Sequence, residues 1–203
     1  MTNQVPVSTL HPTTRMLSDE QIREIHNATL DILANTGIVM KNQRAASLLL
    51  EAGAWEADGK IKIPEHMVMS AIASAPARIP MCNRLGQLTM PLQAGKVFFG
   101  SGSDCIYTID VDTGERRLTT TEDVRRIAQL CDGLEQIDFI MSMGNPVDVN
   151  PMDAYVDEFV AMMRGSVKPI CYTANNGRDM EDIYDIACAV AGGETELREK
   201  PFL

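Results

Sequence analysis

The chain has 203 residues, 45% hydrophobic and 23% charged, with a formal net charge of −10. That length supports one large core or two modest ones. The acidic balance repels nucleic-acid phosphates and anionic membranes, so neither is an expected partner, and no stretch approaches the ~18 apolar residues of a membrane span.

Residues 1–16 hold Pro, Thr and Ser without periodicity and read as a flexible arm. They lack the basic and apolar regions of a secretory signal. Ser18 and Gln21 form a capping-box pair at the start of a first helix. Ile22, Ile25, Ala28, Ile32 and Leu33 lie on one of its faces, and Gly37 follows its last turn. A second helix is predicted from Gln43 to Ala52, with Leu48 and Leu49 inward. Ile61 to Ile63 alternates as a short strand. Pro64 opens a third helix, with Met67, Val68, Ala71, Ile72 and Ala75 inward and Pro76 as its stop.

From residue 97 the character changes. Val97 to Phe99 and Cys105 to Ile109 read as two strands joined by the turn Gly100-Ser101-Gly102-Ser103, and Asp112 to Gly114 is a second turn. Helices are then predicted at 119–130, 152–163 and 179–191. They alternate with short apolar strands at 137–141 and 169–172, and Pro201 to Leu203 opens another. This alternation predicts βαβ units and a parallel sheet buried on both faces. A chain ending there leaves that last strand's partners unmade, so the sequence is expected to be the front of a larger α/β barrel. A small complete three-layer domain is the alternative.

Five cysteines, Cys82, Cys105, Cys131, Cys171 and Cys188, are odd in number, form no CxxC, and sit in or beside apolar runs. They read as buried thiols in a reducing compartment, which places the protein in the cytoplasm. His11, His26 and His66 are scattered without a second ligand at helical spacing, so no directly bound metal is expected. The 13 methionines read as core filler. Gly100 to Ser103 could cradle a phosphate, but it opens no helix, and a tight hairpin turn is favoured. Asp179, Glu181, Asp182 and Asp185 read as the wet face of the last helix. Ser142 to Asn145 and Thr173 to Asn176 follow the two predicted strands. There they serve either as helix caps and turns or as a site at the strand ends.

The ordered series LSDEQIREIHNATLDILANTGI, LLLEAGA, KIKIPEHMV, VFFGSGSDCIYTIDVDTGERRLTTTEDV, LEQIDFIMSMGNPVDV, SVKPICYTANN and AGGETELREKPF resembles the front of the trimethylamine methyltransferase family, from about residue 17 onward. This is the corrinoid-dependent group that also includes glycine betaine methyltransferases. The resemblance implies an α/β fold: an N-terminal helical region at 17–95, then the first part of a (β/α)8 TIM-type barrel at 96–203, incomplete in this chain. It implies transfer of a methyl group from a tertiary or quaternary amine to the Co(I) of a corrinoid (cobalamin) on a cognate partner protein, in a homo-oligomeric enzyme. The chain alone is expected to be inactive. A non-catalytic remnant or interaction subunit, paired with a separately encoded back half, is the alternative.

Such chemistry needs no general base. A quaternary ammonium cannot donate a hydrogen bond, so aromatic faces, carboxylates and a dry, aligned site must hold it. The substrate-binding candidates are Phe99, Ser101, Ser103, Asp104, Tyr107, Ser142, Asn145, Tyr172, Thr173 and Asn175; no catalytic residue is assigned. Core packing competes as an explanation for the three aromatics.

Overall fold

Ser18 accepts the Gln21 N–H while the Gln21 side chain accepts the Ser18 N–H, and helix α1 (Asp19–Asp31) starts from that reciprocal cap. The computed structural model describes residues 15–203. The arm expected at 1–16, with His11, lies almost wholly outside them. The chain divides into two units, Met1–Pro76 and Ala77–Leu203.

In the first unit, α1 runs into a π-helical turn, Ile32–Thr36. Gly37 ends it at φ +72°, where a Cβ would overlap the Ile61 carbonyl. Lys62, buried, donates through Nζ to the carbonyls of Asn35 (2.5 Å) and Thr36 (2.9 Å), placing a cation on the freed carbonyls of the helix end. Helix α2 (Gln43–Glu51) is capped by Asn42. Strands β1 (Trp55–Ala57) and β2 (Lys60–Lys62) form an antiparallel hairpin, and Pro64 immediately precedes helix α3 (Glu65–Ser74). The apolar stripes are where the periodicity put them, but they are not buried. Ile22 is 46% exposed, Ile25 57% and Ile72 55%, whereas Leu30, Ala54 and Ile61 are buried. Helical spacing decides which residues share a face and says nothing of what covers it.

The second unit opens with an antiparallel hairpin that the sequence reading passed over, β3 (Arg78–Cys82) and β4 (Leu88–Gln93). The next hairpin differs from expectation. Residues 97–99 and 105–109 do not pair across Gly100 to Ser103. Instead β5 (Tyr107–Ile109) pairs with β6 (Arg116–Leu118). The turn chemistry belongs to Asp110, whose Oδ1 accepts the N–H groups of Asp112 and Thr113, and to Gly114 at φ +73°. Gly100 is small for another reason: the Phe139 ring fills the space a Cβ would need.

Helices α4 (Thr121–Asp132), α5 (Ala154–Gly165) and α6 (Gly177–Ala191) lie within two residues of the predicted bounds, and α7 (Glu194–Glu199) was not foreseen. Side chains cap two of these starts, Thr120 with Asp123 for α4 and Asn176 for α6, whereas Asp153 at the start of α5 makes no such bond. The core joins Val124, Ala128, Phe159, Met162, Ile183 and Ala187 from these helices to Ile140, Ile170 and Phe202. Helices α4 and α5 approach closely because Gly165 has no Cβ; one would overlap the Arg125 carbonyl.

The expected parallel strands are reduced to short contacts. Gly100 bridges Phe139 and Ile140 bridges Ile170, both parallel, and the Ile170 N–H donates to the Phe202 carbonyl at 2.7 Å. The result is a mixed helix and small-sheet α/β arrangement. Cations close the helix ends. Lys168 Nζ donates to the carbonyl of Cys131 in the last turn of α4 and to those of Leu134 and Ile137 beyond it, at 2.6–2.7 Å, and Arg84 holds the Met163 and Ser166 carbonyls at the end of α5. All five cysteines are free, but only Cys82 and Cys131 are buried; Cys105 and Cys171 are exposed, contrary to the reading of all five as buried. Asp179 is likewise buried rather than on a wet face, bonded to Asn176. Among the described residues no helix is long and apolar enough to cross a membrane.

Candidate functional site

Parallel pairing has a directional consequence. Because Gly100, Phe139, Ile140 and Ile170 bridge in parallel, the residues that follow them leave the ladder at the same end. Ser101 Oγ donates to the Met141 carbonyl at 3.1 Å and accepts the Met141 N–H at 2.8 Å. The Asp104 N–H donates to the Ser142 carbonyl at 2.8 Å, with Asp104 at φ +60°. The Asn145 N–H donates to the Cys105 carbonyl at 3.0 Å. Ser101, Asp104, Ser142 and Asn145, predicted from two separate loops, are thus stitched into one strand-end cluster.

Tyr172 completes the cluster from the third segment. Its ring packs at 5.4 Å, tilted 59°, on Phe159, and its hydroxyl reaches the Tyr155 carbonyl and Oε2 of Glu158, the latter at 3.1 Å. Thr173 and Asn175 follow on the same segment and are exposed, while the neighbouring Asn176 caps α6. Ser103 is half-buried between Ser101 and Asp104. Phe99 and Tyr107 lie apart. Phe99 holds Asp138 through its main chain and is itself 66% exposed. Tyr107 sits on the β5–β6 hairpin with the Arg116 guanidinium 3.8 Å over its ring. A concavity of about 380 Å³ lies at the opposite, N-terminal ends of the bridged segments, lined by Asp132, Ile137, Lys168 and Pro169. Its position beside the helix-capping Lys168 suits it to framework support.

The residue that sequence reasoning missed is Glu158. It is 1% exposed on α5, and its Oε1 has no hydrogen-bond partner. Burial pushes its pKa up to about 7; Tyr172 and Ser142 oppose that rise, and the Asp104 charge adds to it. Burial and the Glu158 charge in turn raise the Tyr172 phenol. The signal was available: Glu158 shares a helix face with Ala154, Ala161 and Met162, all buried. A carboxylate on an apolar stripe is a candidate for special chemistry.

Residues 1–203 match the family model for trimethylamine methyltransferase (MTTB). The trimethylamine methyltransferase MttB of Desulfitobacterium hafniense (strain DSM 10664 / DCB-2) is 34% identical over 187 residues, which cover 91% of this chain and 38% of that protein. MttB1 of Methanosarcina acetivorans is 31% identical over 92% of this chain and 39% of its own length. The glycine betaine methyltransferase of Desulfitobacterium hafniense (strain Y51) is 25% identical over 96% of this chain and 40% of its own. The chain therefore spans about two fifths of the relatives it matches, and it belongs to the trimethylamine methyltransferase family.

Proposed function

We propose that the protein carrying this chain is a methyltransferase that moves a methyl group from a methylated tertiary or quaternary amine, such as trimethylamine or glycine betaine, to the Co(I) of a corrinoid held by a partner protein. The names of its relatives support the amine substrate and the transfer. In the same reading, residues 96–203 are the first part of a (β/α)8 barrel, and the protein works as a homo-oligomer.

The observation that carries the reading is the parallel bridge Ile140–Ile170, beside Gly100–Phe139. It brings three segments to one end of the ladder, where barrel enzymes gather their chemistry. This end offers what a methylated ammonium requires. The exposed Asp104 carboxylate supplies charge, while Asn145, Thr173 and Asn175 supply small polar groups for a substrate carboxylate; Ser142, expected among them, is 1% exposed and stands beside Glu158 instead. Tyr172, half-buried on the segment that follows Ile170, is the aromatic group the chain brings to this end, whereas Phe99 lies on the other side of the Gly100 bridge. The acceptor corrinoid supplies the nucleophile. The residues of this chain bind, orient and keep water out, since a displacement at carbon gains most from alignment.

The test is a methyl-transfer assay of the full-length protein with Co(I)-cobalamin against a panel of tertiary and quaternary amines. Transfer from at least one member is expected. A full-length, folded protein that demethylates none of them overturns the reading.

A further inference from the structure

A phenol carries one proton, and Tyr172 has two oxygen neighbours that call for it: the Tyr155 main-chain carbonyl and Glu158 Oε2. A carbonyl oxygen can only accept, so it takes the Tyr172 proton. The Glu158–Tyr172 contact then needs a proton on the carboxyl, with the Tyr172 oxygen accepting it. The surroundings agree. Glu158 is 1% exposed, and the ionisable groups acting on it are Tyr172 and Asp104, neither of them a cation. Ser142, which follows the Ile140 bridge by two residues, stands beside the same carboxyl, and Tyr172 follows the Ile170 bridge by two.

We infer that Glu158 is a positioning residue for the proposed methyl-transfer site, a neutral acid on α5 that ties the Ser142 and Tyr172 strand ends together. The inference rests on the functional reading above. When Glu158 ionises, its carboxylate competes with the Tyr155 carbonyl for the single Tyr172 proton and stands near the charged Asp104. Both effects loosen the two strand ends from the helix.

The test measures methyl transfer and thermal midpoint of the full-length protein, wild type, Glu158→Gln and Glu158→Ala, across the neutral range. The folded-state pKa of Glu158 is raised, so its stabilising effect is present at low pH and lost as pH rises through about 7. Wild-type transfer and midpoint are expected to fall together there. Gln keeps a donor for the Tyr172 oxygen and does not titrate, so Glu158→Gln flattens both profiles and restores most of what Glu158→Ala loses, about ten-fold in transfer. The inference is overturned if the Gln variant keeps the wild-type fall in midpoint, or if the Ala variant, still folded, transfers methyl at the wild-type rate. If the wild type demethylates none of the amines, the functional reading fails while the midpoint profiles still decide whether Glu158 holds its proton.

Discussion

Arg84 Nε lies 3.1 Å from the carbonyl oxygen of Ser166, 82 residues further along the chain. The same guanidinium reaches the Met163 carbonyl, so one side chain from the β3–β4 turn closes the C-terminal end of α5. Burial lowers the Arg84 pKa and nearby Asp132 opposes that, as expected for a cation drawn into a framework. Arg84→Ala is expected to leave these carbonyls unpaired and to destabilise the second unit by about 2 kcal/mol, the scale of hydrogen bonds to a charged group. Urea denaturation of the variant measures it; an unchanged midpoint would remove Arg84 from the framework.

Gly165 gives a sharper geometric test. The Cβ of Gly165→Ala would overlap the Arg125 main-chain carbonyl, which cannot swing aside as a side chain could. Forcing α4 and α5 apart is expected to cost about 1–3 kcal/mol. Gly177→Ala, with open space around its Cβ, serves as the control and should melt close to wild type.

Acid sensitivity is expected at the β6–α4 junction. The Arg117 guanidinium holds the Asp123 carboxylate well below the ordinary carboxylate range, with hydrogen bonds from Thr120 adding to the effect, while burial opposes it. A depressed folded-state pKa gives stability that is present above the unfolded value of about 3.8 and lost as pH falls below it. Asp123→Asn should therefore lower stability near neutral pH and flatten the acid limb of a stability–pH curve. An acid limb identical to wild type would assign that limb to other carboxylates.

The strand-end cluster predicts a separation of activity from stability. The Asn145 main chain, not its side chain, bonds Cys105, and Asn175 is exposed. In the full-length protein, Asn145→Ala and Asn175→Ala are each expected to lower methyl transfer roughly ten-fold, about 1.4 kcal/mol, with little change in melting temperature. Full activity in both, or activity lost only in step with folding, would exclude these side chains from substrate binding.

Local rules settled much of this protein from its sequence. The Ser18–Gln21 box, the Pro64 start, the Asp112 to Gly114 turn and the three helices of the second unit follow from capping, turn chemistry and period, which act over a few residues. The ordered motif series likewise pointed to the family that the comparisons show. What sequence could not decide depends on contacts between distant segments. Whether Gly100 turns or bridges depended on the Phe139 ring, 39 residues on. The exposure of Ile25 and the burial of Asp179 depend on what covers each face. Glu158 reads as one more helix carboxylate until Tyr172 arrives from 14 residues further on, with a single phenol hydrogen between the Tyr155 carbonyl and a carboxyl held away from water.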